Sequence, residues 1–453
     1  MTKQLFSEFD SVSSKQWKQK IQFDLKGADY NESLVWNTNE DIAIKPFYHA
    51  DDFDNLPETS NTKATEWKIC QSIYVANTEK SNSKAIEVLE RGAESIKFII
   101  PSEDISIQEL LKNIDLDNTQ IYFILQFLPE DFSKQFSNIH NRKNVFFHLD
   151  VIHNLAKNGN FFKSFKEDFA TFESVVKQTK LISINTSLYQ NAGANMVQQL
   201  AYTLAHVNEY LNHFKSLPLN KLKVVFHVSI STNYFFEIAK LRALRLLWET
   251  LATEYGINTN CHIVATTSKR NKTLYDYNTN MLRTTTECMS AILGGANTIC
   301  NLPYDTIYHK DNEFGERIAR NQLLILKHES YFDKVDNPAD GAYYIETLTN
   351  QLAEKGLELF KNIERNGGFL KQLKEGLIQR KIKESASKEQ NQFNTGEEVL
   401  LGTNKHPNLN DVMKDELEIY PFVKTNKRKT LIEPIIEKRL SENLEQERLK
   451  NEK

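Results

Sequence analysis

Cysteine is scarce: Cys70, Cys261, Cys288 and Cys300 are the only four in 453 residues, and no two form a CxxC pair. Each lies in an apolar segment, which argues for reduced packing residues and against a disulfide framework or a zinc site. No metal site is expected. Long hydrophobic runs are also missing; no stretch approaches the roughly 18 apolar residues that a membrane-spanning helix requires. Nor does either sign of charge dominate, since 56 Lys and Arg face 60 Asp and Glu for a net charge of -4. That balance offers no electrostatic reason to expect nucleic acid or an anionic membrane. The N-terminal MTKQLFSEFDSVSS has neither the apolar core of a secretory signal nor the arginines of a transit peptide, so the cytoplasm is the expected compartment.

What remains is a chain with 40% apolar and 26% charged residues, the balance of a globular protein. Apolar, β-branched and aromatic runs alternate with stretches of helical period. The runs are Cys70 to Val75, Ile96 to Ile100, Ile121 to Gln126, Val145 to Asp150, Leu181 to Thr186, Val224 to Ser231, Cys261 to Thr267 and Thr298 to Leu302. Amphipathic stretches between them include Ser83 to Ser95, Phe165 to Lys177, Gly193 to Phe214, Asn233 to Tyr255 and Tyr277 to Gly294. Parallel strands joined by helices must be covered on their outer face, and eight such units resolve most simply as an α/β fold with an eight-stranded parallel βα (TIM-type) barrel. An open doubly wound sheet also satisfies the pattern. Residues 1–62 read as an N-terminal arm with a short helix near Ser14 to Phe23 and an aromatic-rich irregular segment. That segment has too few periodic apolar positions for a core of its own and needs a partner surface. Residues 63–365 hold the barrel, and 366–453 form a helical C-terminal extension. Within the extension, SASKEQNQFNTGEE reads as a loop and the charged stretch from Pro434 to Lys453 as a helix.

Three blocks in register carry a resemblance. The first is ISINTSLYQNAGANMVQQLAYTLAHVNEY, Ile182 to Tyr210, a strand that turns through Ala192-Gly193-Ala194 into a long helix. The second is NMLRTTTECMSAILGGANT, Asn280 to Thr298; the third comprises RIARNQLLILKHES from Arg317 and DNPADGAYYIETLT from Asp336. Together they resemble the methylmalonyl-CoA mutase family over about residues 65 to 450. That resemblance implies the family's acyl-CoA-mutase barrel, and so decides between closed barrel and open sheet. In the second block, Arg283 and Glu287 stand four apart on one helix, a spacing suited to an ion pair, and Gly294-Gly295 ends that helix.

The same alignment implies that the chemistry is missing. Where catalytic members read roughly SGYHMQEAGA, this chain has Ser187 for the Tyr and Leu188 for the His, and a leucine neither donates a hydrogen bond nor exchanges a proton. The family's PWTIRQYAG aligns with the segment Glu66 to Ser72, so Ser72 replaces a second active-site Tyr and Cys70 an Arg, while Trp67, Ile69 and Gln71 hold the register. His148 and Lys157 fall where a Gln and a substrate-carboxylate Arg are expected, and a lysine lacks the bidentate fork. Thr266 stands for another Gln. No residue is therefore expected to be catalytic; Ser72, His148, Lys157, Ser187, Leu188 and Thr266 are degenerate equivalents of the family site. As ordinary structure, Ser72, Ser187 and Thr266 would be hydrogen-bonded turn residues at strand ends, and His148 and His227 packed core histidines. The cobalt-ligating DxHxxG motif of longer relatives is also absent. Asp150-Val151-Ile152-His153 imitates it with the wrong spacing, so no cofactor is expected on this chain. The strands are bulky as well, with Tyr122-Phe123-Ile124-Leu125, Val145-Phe146-Phe147-His148 and Val224-Val225-Phe226-His227, so the barrel axis is expected to be filled where catalytic relatives thread the CoA arm.

The resemblance thus implies the non-catalytic small (beta) subunit of a heterodimeric mutase. Adenosylcobalamin and the (R)-methylmalonyl-CoA to succinyl-CoA isomerisation would belong to the large (alpha) subunit. Two alternatives stand beside it: the acyl-CoA-binding catalytic chain of a split mutase whose cobalamin domain is a separate protein, and an assembly factor that dissociates from a mutase.

Overall fold

The computed structural model describes residues 7–452 except 61, 138, 215–220 and 425–426. Eight strands form one wholly parallel sheet: β1 Lys68–Tyr74, β2 Ser95–Ile100, β3 Gln120–Leu125, β4 Val145–His148, β5 Leu181–Asn185, β6 Lys223–Ile230, β7 Cys261–Thr267 and β8 Thr298–Cys300. They are hydrogen-bonded in the order β4-β3-β2-β1-β8-β7-β6-β5. All eight strand expectations are met within one or two residues. The sheet curls into a nearly closed barrel whose seam, between β4 and β5, is bridged by side chains. There His148 Nδ1 lies 2.8 Å from Ser183 Oγ, and Asp150 Oδ2 accepts the Asn185 backbone N–H at 2.9 Å.

Period-two alternation sorts the strand residues. Ile69, Ile73, Ile96, Phe98, Phe123, Phe147, Ile182, Ile184, Phe226 and Ile263 belong to the main core beneath the helices. Cys70, Tyr122, Leu181, Val225, Val264 and Cys300, with Phe146 against them, form a separate cluster inside the barrel. All four cysteines are buried and unpaired.

Polar caps start the outer helices. Asn77 caps Thr78–Glu90, Asp150 caps Val151–Asn158, Asn195 and Gln198 make a capping box for Met196–His213, and Asn312 caps Glu313–His328. The cap at Asn77 explains why the first helix runs earlier than the expected Ser83 to Ser95, whose last residue opens β2 instead.

Two expectations in the extension are corrected. The stretch 385–398 is no loop: helix Leu377–Thr395 runs through most of it. Its Ala386 packs over the turn at Gly193, where φ is +98° and an added Cβ would lie 2.5 Å from the Ala386 Cβ, so tertiary packing overrides the polar composition. The last helix spans only Glu442–Asn451, and the chain before it is held by backbone bonds to Ala156, Asn191 and Arg270. The arm contains the expected helix, Ser14–Asp24. It anchors on the barrel through Ile42, which is buried in the main core, and through Trp36 against Phe236 and Tyr48 against Tyr344. Phe23 and Leu56 remain 79% and 63% exposed.

The pair Arg283–Glu287 does not form either. Glu287 is fully buried and takes Lys272 Nζ at 3.0 Å on both oxygens and Asn271 Nδ2 at 2.6 Å, while Arg283 bonds Thr273, Asn280 and the Leu401 carbonyl.

Candidate functional site at the barrel mouth

The C-terminal ends of the strands surround a cavity of about 480 Å³, on the face where α/β barrels carry their chemistry. Four of the six positions singled out in the sequence line it: His148, Lys157, Ser187 and Thr266. Ser72 lies in the barrel wall, its Oγ 3.3 Å from Cys300 Sγ. Leu188 is placed differently from the sequence expectation. It does not face the mouth; it sits on the short helix Ser187–Asn191 and is buried in the main core outside the barrel. The helical turn inserted between β5 and Gly193 rotates it there, a feature the apolar pattern alone did not reveal.

The histidines are core groups, as their strand positions suggested. His148 Nδ1 and His227 Nε2 both point at Ser183 Oγ, at 2.8 and 3.1 Å. One hydroxyl can donate to only one of them, so it accepts from the other. Burial pulls both imidazoles down, His148 to about 4, so each is neutral at pH 7.

Asp150, which the sequence offered only as the start of an imitated cobalt motif, is the hub of the seam. Its Oδ1 receives the His153 backbone N–H at 2.8 Å, His206 Nε2 at 3.0 Å and the Tyr210 hydroxyl at 2.7 Å. Burial pushes its carboxyl up, but His206 and the other nearby histidines outweigh this and hold it well below the usual carboxylate range. The imitation of a cobalt motif ends here. Asp150 spends its carboxylate on the helix cap, His206 and Tyr210, while the His153 ring bonds the Asn185 carbonyl at 3.0 Å. The donor pair does not fit a carboxylate-oriented metal ligand.

Lys97 on β2 was also missed, because one charged residue in an apolar run reads as an exposed edge. Its Nζ reaches across the barrel to Thr266 Oγ1 at 3.3 Å. Burial pulls the ammonium down, but the Cys300 and Cys70 thiols outweigh it and hold it up. Cys70 and Lys97 in turn draw the Cys300 thiol down to about 5.

Beneath the mouth the axis is filled. Tyr122, Phe146, Val225 and Val264 each precede by two residues a mouth-lining residue of the same strand: Ile124, His148, His227 and Thr266. They therefore form a layer about 6.6 Å deeper. Tyr122 stacks on Phe146 with centroids 4.9 Å apart, and Phe146 on His262 at 5.0 Å. The Tyr122 hydroxyl bonds His262 Nε2 and Thr298 Oγ1, both at 2.7 Å.

An eight-stranded parallel barrel sheathed in helices, with a polar cavity at its C-terminal mouth, defines the α/β-barrel enzyme class. Within that class, the methylmalonyl-CoA mutase family model matches residues 155–451. The chain is 34% identical to the methylmalonyl-CoA mutase small subunit of Porphyromonas gingivalis, over 92% of this chain and 73% of that one. It is 29% identical to a methylmalonyl-CoA mutase of Rhizobium meliloti, covering 86% of this chain and 63% of that one. With the methylmalonyl-CoA mutase small subunit of Streptomyces virginiae it shares 26% identity, over 90% of this chain and 72% of that one. The chain belongs to the methylmalonyl-CoA mutase family, a family of isomerases. Among the described residues no helix is long and apolar enough to cross a membrane.

Proposed function

We propose that this chain is the non-catalytic small subunit of a heterodimeric, adenosylcobalamin-dependent methylmalonyl-CoA mutase whose large subunit holds the coenzyme and performs the isomerisation. The observation that carries the reading is the filled axis. An acyl-CoA threaded along a barrel needs small inward side chains, and here Tyr122, Phe146 and His262 are stacked across that path and fastened to Thr298. The mouth argues the same way. Ser187 and Thr266 replace larger hydrogen-bonding groups, and Leu188 offers the cavity nothing.

A barrel that has lost its site can be retained for its interface, because selection on folding and assembly suffices to keep it. The exposed Phe23, Trp36 and Leu56 of the arm supply apolar surface for such a contact. The deciding experiment assays this chain alone, the large subunit alone and the mixture, each with adenosylcobalamin and methylmalonyl-CoA, and sizes the co-expressed pair by gel filtration. Turnover only where the large subunit is present, with a stable equimolar complex, is the expected result. Isomerisation by this chain alone would overturn the proposal.

A further inference from the structure

Two of the four cysteines meet inside the barrel. Cys70 on β1 and Cys300 on β8 are paired in register across adjacent parallel strands, and both belong to the small cluster that fills the interior. Neighbouring strands stand roughly 4.8 Å apart, inside the roughly 4.4–6.8 Å between Cα atoms that a disulfide spans. The two thiols are close enough to hydrogen-bond each other. Cys261 faces Val224 across its strand pair, and Cys288 lies on helix Thr279–Leu293 in the main core, so neither has such a neighbour in register.

The surroundings make the pair unequal. The Lys97 ammonium and the Ser72 hydroxyl, the latter at 3.3 Å, are both hydrogen-bonded to the Cys300 sulfur. Cys70 and Lys97 hold that sulfur as the thiolate, whereas burial pushes the Cys70 thiol up and keeps it protonated. A nucleophilic sulfur therefore stands beside a second thiol placed to resolve it. Access comes from the mouth. Leu302, two residues beyond Cys300, and Thr266, its register partner on β7, both line the cavity, so Cys300 lies in the floor directly beneath it. At 1% exposure the sulfur can be reached by an oxidant little larger than water but not by a bulky disulfide.

We propose that Cys70 and Cys300 are a peroxide-sensitive thiol pair that closes to a disulfide between the first and last strands of the barrel. The Cys300 thiolate attacks one oxygen of hydrogen peroxide; the S–O bond forms, the O–O bond breaks, and the departing hydroxide takes a proton from Lys97 and leaves as water. The Cys70 sulfur then attacks the sulfenic sulfur, the S–S bond forms, and the Cys70 proton leaves with the hydroxyl as a second water. Two electrons pass from the sulfurs to the peroxide, and Lys97 regains its proton from solvent.

Mass spectrometry of the full chain, reduced and then treated with hydrogen peroxide, tests this. Alkylation after denaturation should find two of the four cysteines blocked, and the digest should contain a Cys70–Cys300 cross-linked peptide that dithiothreitol releases. Cys70→Ser should instead leave a sulfenic acid on Cys300 that dimedone captures. Lys97→Met should slow the oxidation about tenfold or more, because burial alone keeps a thiol protonated, as at Cys288, and Lys97→Arg should slow it less. Should these variants not fold, the pH profile of the unmodified chain decides. The titratable groups around the Cys300 sulfur are Lys97, Cys70, Tyr122 and Cys288. With Lys97 holding the thiolate, the rate should stay level from pH 8 to pH 6, where an ordinary thiol of pKa about 8.5 loses nearly all its thiolate. Four free cysteines after peroxide, or a cross-link to Cys261 or Cys288, overturns the proposal. So does a rate that falls with pH as an ordinary thiol's would.

Discussion

Replacing Asp150 with asparagine should loosen the barrel where its sheet is not closed by backbone bonds. The side chain is 1% exposed and accepts four hydrogen bonds, three on Oδ1 and one on Oδ2. An amide matches only one of those oxygens, and its NH₂ then faces the Asn185 N–H, leaving a buried backbone donor without an acceptor at a cost of about 1–3 kcal/mol. The bonds to His206 and Tyr210 also lose their charged acceptor, roughly 1 kcal/mol each. Easier burial of a neutral group offsets part of this, for a net destabilisation of about 2–4 kcal/mol.

Urea unfolding at pH 7, followed by tryptophan fluorescence and circular dichroism together, measures the difference. The pH dependence supplies an internal check. Because the folded carboxyl is held below its ordinary value, its contribution is complete above the unfolded pKa of about 3.9 and is lost as pH falls from there toward the lowered folded value. The gap between Asp150→Asn and the unmodified chain should therefore be constant from pH 7 to 5 and narrow by about 1 kcal/mol at pH 3. A difference under about 1 kcal/mol at pH 7 would refute the view that this carboxylate holds the seam.

Three further outcomes are expected. His148 has a folded pKa near 4 because burial disfavours its cation, so the stability it confers is present above the unfolded pKa of about 6.5 and declines as pH falls toward 4. Between those limits His148→Gln should flatten the stability profile by about 1.4 kcal/mol per pH unit, read from unfolding midpoints at successive pH values. Lys272→Met alone should cost about 3–5 kcal/mol by stranding the Glu287 carboxylate, whereas Lys272→Met with Glu287→Leu should recover most of the loss in the same unfolding assay. Gly193→Ala forces a Cβ to 2.5 Å from Ala386 and 2.8 Å from an Arg270 nitrogen at a positive φ, and should cost about 2–5 kcal/mol, with Ala386→Gly relieving the contact but not the backbone strain.

How far the sequence could be read depended on where each interaction was made. Strands such as Tyr122 to Leu125 declare themselves because burial on both faces demands an unbroken apolar run, and that demand is local. The helix that runs through 385–395 did not declare itself: it is held by tertiary contacts, Ala386 against Gly193 almost two hundred residues away and the buried Phe393 with Leu400 and Leu440, while most of its own residues are those of a loop. The site divides along the same line. Ser187, Thr266, Lys157 and His148 were placed at the mouth by strand ends and by alignment with a motif, whereas Leu188 was misplaced because a helical turn between strand and glycine shifts direction without changing hydropathy.

The role of Asp150 and the presence of Lys97 in the barrel went unread for a different reason. A single charged residue beside an apolar run has one meaning if it is solvated and another if four donors or a pair of thiols surround it, and only the closed barrel brings those partners to it. The Glu287 motif illustrates the converse error. Its i, i+4 spacing suggested Arg283, but a surface pair of that kind contributes only a few tenths of a kcal/mol, and a buried carboxylate cannot persist on so little. Lys272, brought in from the loop after β7 with Asn271, supplies what burial requires. The block that carries the most specific part of the resemblance is therefore held in place by partners that only the closure of the barrel brings to it.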